Sequence, residues 1–232
     1  MQSSMRALLV VILLGVGGPL CPGATNRFER EVLALETSAI ENPVPKGAMM
    51  LYGSSSFRLW SDAAARFPRH DVVNRGFGGA HLSDLNEFFD RLVVPAEPRL
   101  LLIYGGDNDV ASGKSPERVL ADFRELVRKV RARLPRTRIG FVAIKPSPRR
   151  ADQLGTQTEA NSLVRREARR LRRVDFIDVV SPLLRETGVP DERFYVEDRL
   201  HLNSAGYDRW MEALGPYVER RGPKRRDPAR NP

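Results

Sequence analysis

The sequence predicts a three-layer α/β fold, a five-stranded parallel sheet in the order 2-1-3-4-5 with helices on both faces. Three observations predict it. Five short apolar runs recur along the chain, at residues 48–52, 71–74, 100–104, 139–144 and 174–180. Longer amphipathic segments separate them, and strands that alternate with helices pair as a parallel sheet covered on both sides. The chain has 232 residues, 41% of them hydrophobic, and no visible internal repeat, which suits one domain with a full core.

The elements follow in order. Residues 28–40 have helical character, and "ENPVPKG" breaks the helix before the first strand. The run 48–52 ends in "GSSS", a Gly followed by three serines. The run 71–74 leads into "NRGFGGAHLSDL" at 74–85, which opens a helix over 83–92. After 100–104 comes the turn-rich "YGGDNDV" at 104–110. The helix at 116–134 shows its period best. Val119, Leu120, Phe123, Val127, Val130 and Leu134 share one face, with Arg, Glu and Lys opposite. The run 139–144 passes into "IKPSPRR" and a helix at 158–171. The run 174–180 completes the sheet. "EDRLHLNSAGY" at 197–207 then precedes a last helix at 204–218, with Asn203 or Ser204 as its cap. In this flavodoxin-like order the chain reverses between the first and third strands, and ligands bind beyond the carboxyl ends of the strands at that point. Residues 53–56, 75–80 and 105–109 therefore converge on one crevice.

The two ends read differently from the body. Arg6 precedes an apolar run at 7–16, followed by small residues and Pro, so residues 1–24 have the layout of a secretory signal peptide, with an uncleaved membrane anchor as the alternative. The run is short for a membrane-spanning helix. Cys21 is the single cysteine, and "GPLC" lacks the small residue that precedes a lipid-modified Cys. A chain cleaved near Gly23 or Ala24 has no disulfide, thiol nucleophile or zinc–thiolate site. Residues 25–47 form an N-terminal helix and linker, 48–218 the main domain, and 219–232 a Pro-rich basic tail expected to be disordered. Much of the +9 net charge lies in that tail and in "RREARRLRR" at 165–173, which carries six Arg against one Glu. Such a patch fits an anionic surface or a plain solvated face.

Four segments carry candidate chemistry. Ser54, Ser55 and Ser56 follow Gly53 at a strand end, where a tight turn can free a hydroxyl for attack; loop or cap duty is the plainer alternative. The glycines of "NRGFGGA" let backbone N–H groups approach a ligand, without the spacing of a phosphate-binding loop. Asn108 in "YGGDNDV" can aim an amide N–H at developing negative charge. Asp107 and Asp109 flank it, but no His stands in the segment, and no metal is expected. Asp198 lies three residues before His201, a spacing that lets a carboxylate orient an imidazole and stabilise its protonated form. Of the other histidines, His70 sits in a polar turn, and His81 in the Gly-rich loop is a rival base. Nucleophile, donors, base and carboxylate all fall on loops beyond strands or beside the last helix, which favours catalysis over accident.

These four segments resemble the blocks of the SGNH hydrolase family, the GDSL esterases and lipases. In that family a Gly-Asp-Ser block carries the nucleophile, and Gly53-Ser54-Ser55 occupies it here, which makes Ser55 the attacking residue. The second block places a backbone donor at Gly79. The third, Gly-x-Asn-Asp, is matched by Gly106-Asp107-Asn108-Asp109, and the last, Asp-x-x-His, by Asp198-Arg199-Leu200-His201. The resemblance spans residues 48–215. Ser54 departs from the family Asp. The Gly-Ser-Ser variant and "IKPSPRR" are similar to the branch that includes hydrolases like platelet-activating-factor acetylhydrolase.

The resemblance implies an acyl-ester hydrolase with catalytic Ser55, His201 and Asp198, and with an oxyanion hole formed by the N–H groups of Ser55 and Gly79 and the Asn108 amide. It implies no cofactor. The substrate class is a small-molecule, glycan or lipid ester, and the absence of a long apolar lid segment favours a short acyl group. No specific nucleic-acid partner is expected; the basic tail offers contact with anionic surfaces. The rival reading is a non-catalytic exported protein that binds anionic polymers through the basic helix and tail.

Overall fold

The apolar runs form five strands, β1 (Met49–Gly53), β2 (Val72–Gly76), β3 (Leu100–Tyr104), β4 (Arg138–Val142) and β5 (Val174–Ile177). All neighbours are parallel, in the order β2-β1-β3-β4-β5. This is the expected topology. The computed structural model describes residues 26–219. The expected leader at 1–24, and all but the first residue of the expected tail at 219–232, lie outside the described residues.

Strand side chains alternate between two cores, as the two-residue period requires. Met50, Tyr52, Leu101 and Ile103 enter one cluster with Phe77, Phe88 and Phe123. Met49, Leu51, Leu102 and Tyr104 enter the other with Phe57, Trp60 and Trp210. Burial on both faces explains why these strands read as continuous apolar runs. The first core is covered by α1 (Glu29–Glu41), α4 (Leu82–Leu92), α6 (Pro116–Arg133) and α7 (Leu154–Ala168); the second by the short α2 (Ser55–Arg58), α3 (Ala63–Arg66) and α8 (Ser204–Glu219). One more single-turn helix, α5 (Asp107–Ala111), follows β3. At the start of α6, Ser115 Oγ accepts from the Arg118 N–H at 3.3 Å, and Pro116 occupies the first turn, where its missing donor costs nothing.

Two runs end earlier than their hydrophobicity implies. β4 stops at Val142, yet Ala143 and Ile144 stay buried. Asn161 explains this, since its side chain accepts from the Ile144 N–H at 2.8 Å and donates to the Ile144 carbonyl at 2.9 Å. One amide side chain thus replaces a strand partner. β5 stops at Ile177 because Asp178 Oδ1 accepts from the Val180 N–H at 3.0 Å and turns the chain. α7 begins at Leu154, before the apolar spacing becomes visible, because a 3-10 segment at Pro148–Gln153 runs straight into it.

The register sets the site. Gly53 lies opposite Gly76 on one side and Tyr104 on the other, so the three strands end level. Their following loops emerge together at the carboxyl edge.

Candidate active site

Gly53 must be glycine for a steric reason. A Cβ there would lie 2.2 Å from the Tyr104 carbonyl oxygen, so the β1 and β3 backbones meet at their ends. The Ser54 N–H donates to that same oxygen at 3.0 Å, and the Phe77 N–H donates to the Gly53 carbonyl at 2.9 Å. The turn into α2 is thereby tied to both neighbouring loops. Ser54 is buried, and its carbonyl accepts from the Phe57 and Arg58 N–H groups at 3.0 and 3.1 Å, which starts α2 and leaves Ser55 at its first position. Gly53→Ala is expected to destabilise the protein by about 1–3 kcal/mol or more, seen as a lower thermal midpoint. An unchanged midpoint would contradict the close approach of the two strands.

His201 is presented by a self-contained turn. Asp198 Oδ1 accepts from the Leu200 and His201 N–H groups at 2.8 and 2.9 Å. Its Oδ2 lies 2.5 Å from His201 Nδ1. Burial works upward on the Asp198 carboxyl, but these N–H groups and the imidazole outweigh it and hold the carboxyl at about 2. Arg199 takes a positive φ of 59° at the apex, and the Tyr195–Leu202 bridge closes the base. The turn is anchored to the segment after β4, where Lys145 Nζ donates to the Leu200 carbonyl at 2.6 Å and the Arg149 N–H to the Arg199 carbonyl at 3.0 Å.

Across this arrangement His201 Nε2 stands 2.9 Å from Ser55 Oγ. The two residues are 146 positions apart, and an aromatic cluster aligns them. Trp60 stacks on Tyr207 with centroids 5.0 Å apart, and Trp210 meets Trp60, Phe57 and Tyr104 at 5.9, 6.0 and 5.2 Å. Tyr207 also donates its hydroxyl to the Ser56 carbonyl at 2.9 Å. α8 is therefore clamped directly onto the turn that carries Ser55. Asn203 caps that helix, with its Oδ1 accepting from the Gly206 N–H at 3.0 Å.

The remaining predicted residues lie on the other two loops. Gly79 has φ +74°, a left-handed conformation suited to glycine. Helix α1 braces this loop: Glu31 accepts from the Gly78 N–H at 3.1 Å, and Arg27 donates to the Gly79 carbonyl at 3.2 Å. The peptide units on either side of the Gly78–Gly79 bond are thus both held. Among the described residues no acceptor pairs with the N–H of Ser55 or of Gly79. Asn108 donates through Nδ2 to the Ala80 carbonyl at 3.1 Å, which fixes it beside the Gly-rich loop. Arg150 donates to Asn108 Oδ1 at 3.2 Å and pairs with Asp107. A guanidinium only donates, so the Asn108 amide oxygen must face it and the NH₂ must face the loop.

The flanking carboxylates are occupied. Asp109 is buried and accepts from the Leu82 and Gly106 N–H groups and from Lys114 at 2.7 Å. Asp107 faces Arg150 and the fully buried Lys145, whose Nζ is 3.7 Å away. Burial pushes the Lys145 amine below its ordinary value against the pull of Asp107. Among the described residues no group of three or more His, Cys, Asp or Glu is placed to hold a metal. His81 caps α4, where its N–H donates to Asp84 at 2.8 Å, and the half-buried His70 contacts Arg99 at 2.6 Å. It is His201, of the three, that touches Ser55.

Sequence reasoning missed Glu31, Lys145 and Arg150 as supports. For the last two a signal existed, since "IKPSPRR" directly follows the fourth strand at the carboxyl edge. Glu31 carries none, because it lies 47 residues from the glycine that it holds.

The family model of the GDSL-like lipase/acylhydrolase family matches residues 46–209. No curated protein matches the chain. Similar solved structures include a protein from Streptococcus pneumonia provisionally assigned as a platelet activating factor. It is 20% identical, with a TM-score of 0.72, and the match covers 82% of this chain and 92% of that one. A GDSL-like lipase from Bacteroides thetaiotaomicron is 18% identical, with a TM-score of 0.66 and coverage of 82% and 98%. A variant of an acetyl-xylooligosaccharide esterase from Geobacillus Stearmophilus is 17% identical, with a TM-score of 0.56 and coverage of 74% and 94%. These likenesses bear out the fold, and the family match spans well over half of the sequence. The chain belongs to the GDSL-like lipase/acylhydrolase family and is a carboxylic ester hydrolase of that type.

Proposed function

We propose that Ser55 is the nucleophile of this hydrolase, His201 its general base and Asp198 the carboxylate that orients the base. The observation that carries the reading is the continuous contact from Asp198 Oδ2 through the imidazole to Ser55 Oγ, at 2.5 and 2.9 Å. With Nδ1–H held by Asp198, Nε2 is left to accept the Ser55 proton as Oγ attacks the ester carbonyl. His201 then returns that proton to the leaving alcohol, and water clears the acyl-enzyme by the same route. The unpaired N–H groups of Ser55 and Gly79, and the second Nδ2 hydrogen of Asn108, serve as donors to the oxyanion. Labelling with a fluorophosphonate, followed by mass spectrometry, tests the reading. The adduct is expected on Ser55; an adduct on another residue, or none, refutes it.

Asn108→Ala is expected to lower kcat by about 10²–10³, or ~3–4 kcal/mol, with KM little changed. Steady-state kinetics on a chromogenic ester measure this, and full retention of kcat removes Asn108 from the mechanism. A general base acts only when unprotonated, so activity is also expected to fall on the acid side. Asp198, held at about 2, stays ionised across that range and contributes no step of its own. A flat profile between about pH 5 and 8, with chemistry limiting, would count against a histidine base.

For substrate we propose a short acyl ester, such as an acetyl group, on a carbohydrate or lipid. The acetyl-xylooligosaccharide esterase and the lipase among the similar structures support this class. Acetylated oligosaccharides should then be cleaved faster than long-chain esters, and the reverse order overturns the choice. We also propose export, from the basic and apolar layout of residues 1–24. Cell fractionation that finds the protein in the cytosol contradicts it. The polyanion-binding alternative leaves the Ser55–His201 contact unexplained, and salt-sensitive retention on heparin by Ser55→Ala protein that never had esterase activity would revive it.

A further inference from the structure

Away from the candidate active site, a groove of ≈ 500 Å³ runs between α1 and the end of α4. One wall comes from α1, which precedes the family-matched residues 46–209. Leu35, Ala39, Ile40, Val44, Leu92 and Pro95 make the lining mostly apolar. Ile40 is 80% exposed, an apolar side chain left open to solvent. The volume falls in the range of about 300–1,000 Å³ usual for small-molecule sites.

Three charged side chains also line the groove. Glu36 and Arg91 neutralise each other through two hydrogen bonds of 2.8 and 2.7 Å, with Glu29 adding a third to Arg91 at 2.9 Å. Arg75 is unlike them. It is 6% exposed, and among the described residues no carboxylate, hydrogen-bond acceptor or aromatic ring is paired with its guanidinium. Burial lowers its pKa with no partner to oppose the shift. Arg75 shares the two-residue register of Val73, whose side chain packs in the core beneath α1 and α4. An arginine keeps its charge in proteins. This largely desolvated charge, whose nitrogens still reach the groove, burdens the fold unless water or a ligand there pairs with it. An anion entering the groove relieves that burden, and a carboxylate matches the guanidinium fork with two parallel hydrogen bonds.

We propose that this groove binds a single-chain aliphatic carboxylate, with the head group on Arg75 and the chain along the apolar wall between α1 and α4. One unpaired guanidinium balances one negative charge, which favours a carboxylate over a phosphate dianion. The apolar lining selects the chain. The proposal does not rest on the Ser55 reading.

Isothermal titration of the full chain with dodecanoate, below its micelle concentration, tests this. Wild type is expected to show saturable one-site binding, and dodecanol or dodecyltrimethylammonium far weaker binding. Arg75→Met, of similar length without charge, should weaken dodecanoate by about 10- to 100-fold and raise the melting temperature of the unliganded protein. Ala39→Trp, which fills the groove, should also weaken binding, while Ser55→Ala should leave it unchanged. Absence of binding by wild type, or equal binding by Arg75→Met, overturns the proposal. So does a lower melting temperature for Arg75→Met, which reveals a guanidinium paired within the fold. Loss of binding in Ser55→Ala places the carboxylate in the ester site and overturns it as well.

Discussion

Ser55→Ala is expected to lower kcat by about 10⁴–10⁶ while leaving the fold intact. The substitution removes one oxygen, which contacts His201 Nε2 at 2.9 Å. Ser55 is only partly buried, so the lost hydrogen bond costs about 1 kcal/mol of stability. The turn survives because the ties that build it belong to the backbone of Gly53 and Ser54. The catalytic loss is large because, among the described residues, Ser55 presents the hydroxyl that contacts the imidazole and no other does. His201→Ala should cost a similar factor, and the double variant little more than either alone, since the two groups act as one unit. Steady-state kinetics with active-site titration measure all three. A Ser55→Ala enzyme within tenfold of wild type would remove this hydroxyl from the chemistry.

Asp198→Asn is expected to lower kcat by about 10⁴, the scale seen when the orienting carboxylate of a Ser-His-Asp hydrolase becomes an amide. The amide oxygen can still accept from the Leu200 and His201 N–H groups, so the turn should keep its shape. The NH₂ then faces Nδ1 and makes it an acceptor. The ring proton moves to Nε2, which points a donor at Ser55 and leaves nowhere for the hydroxyl proton to go. Acid stability changes in step. A carboxyl depressed to about 2, from an ordinary 3.8, stabilises the fold above pH ~4 and loses that contribution as pH falls toward 2. The asparagine variant lacks this group, so its stability should fall less steeply over that interval. Kinetics and acid titration by circular dichroism check the two halves. Retention of wild-type kcat would show that His201 needs no carboxylate.

Much of this arrangement was legible beforehand because its causes are local. Period and burial marked the five strands and the long helices, and α6 shows its face through Val119, Phe123, Val127 and Val130. The single-turn helices α2, α3 and α5 are too short to display a helical period, so no sequence pattern marks them. The apolar runs overstate β4 and β5 because they report burial rather than pairing. Only the positions of Asn161 and Asp178 reveal where the ladder ends.

The candidate site divides in the same way. The left-handed Gly79 and the Asp198–His201 turn are matters of neighbouring backbone, whereas Gly53 is required by the Tyr104 carbonyl of a distant strand. The approach of His201 to Ser55 across 146 positions is not local either. It depends on Trp60, Tyr207 and Trp210 packing α8 against α2, and aromatic residues at those spacings announce a core without saying which surfaces they join. Glu31 against Gly78 and Arg150 against Asn108 belong to the same class, as does Arg75, which has no partner among the described residues. Local chemistry fixes the conformation of each loop. Only packing selects which loops meet, because contact free energy arises between surfaces that the chain brings together from far apart.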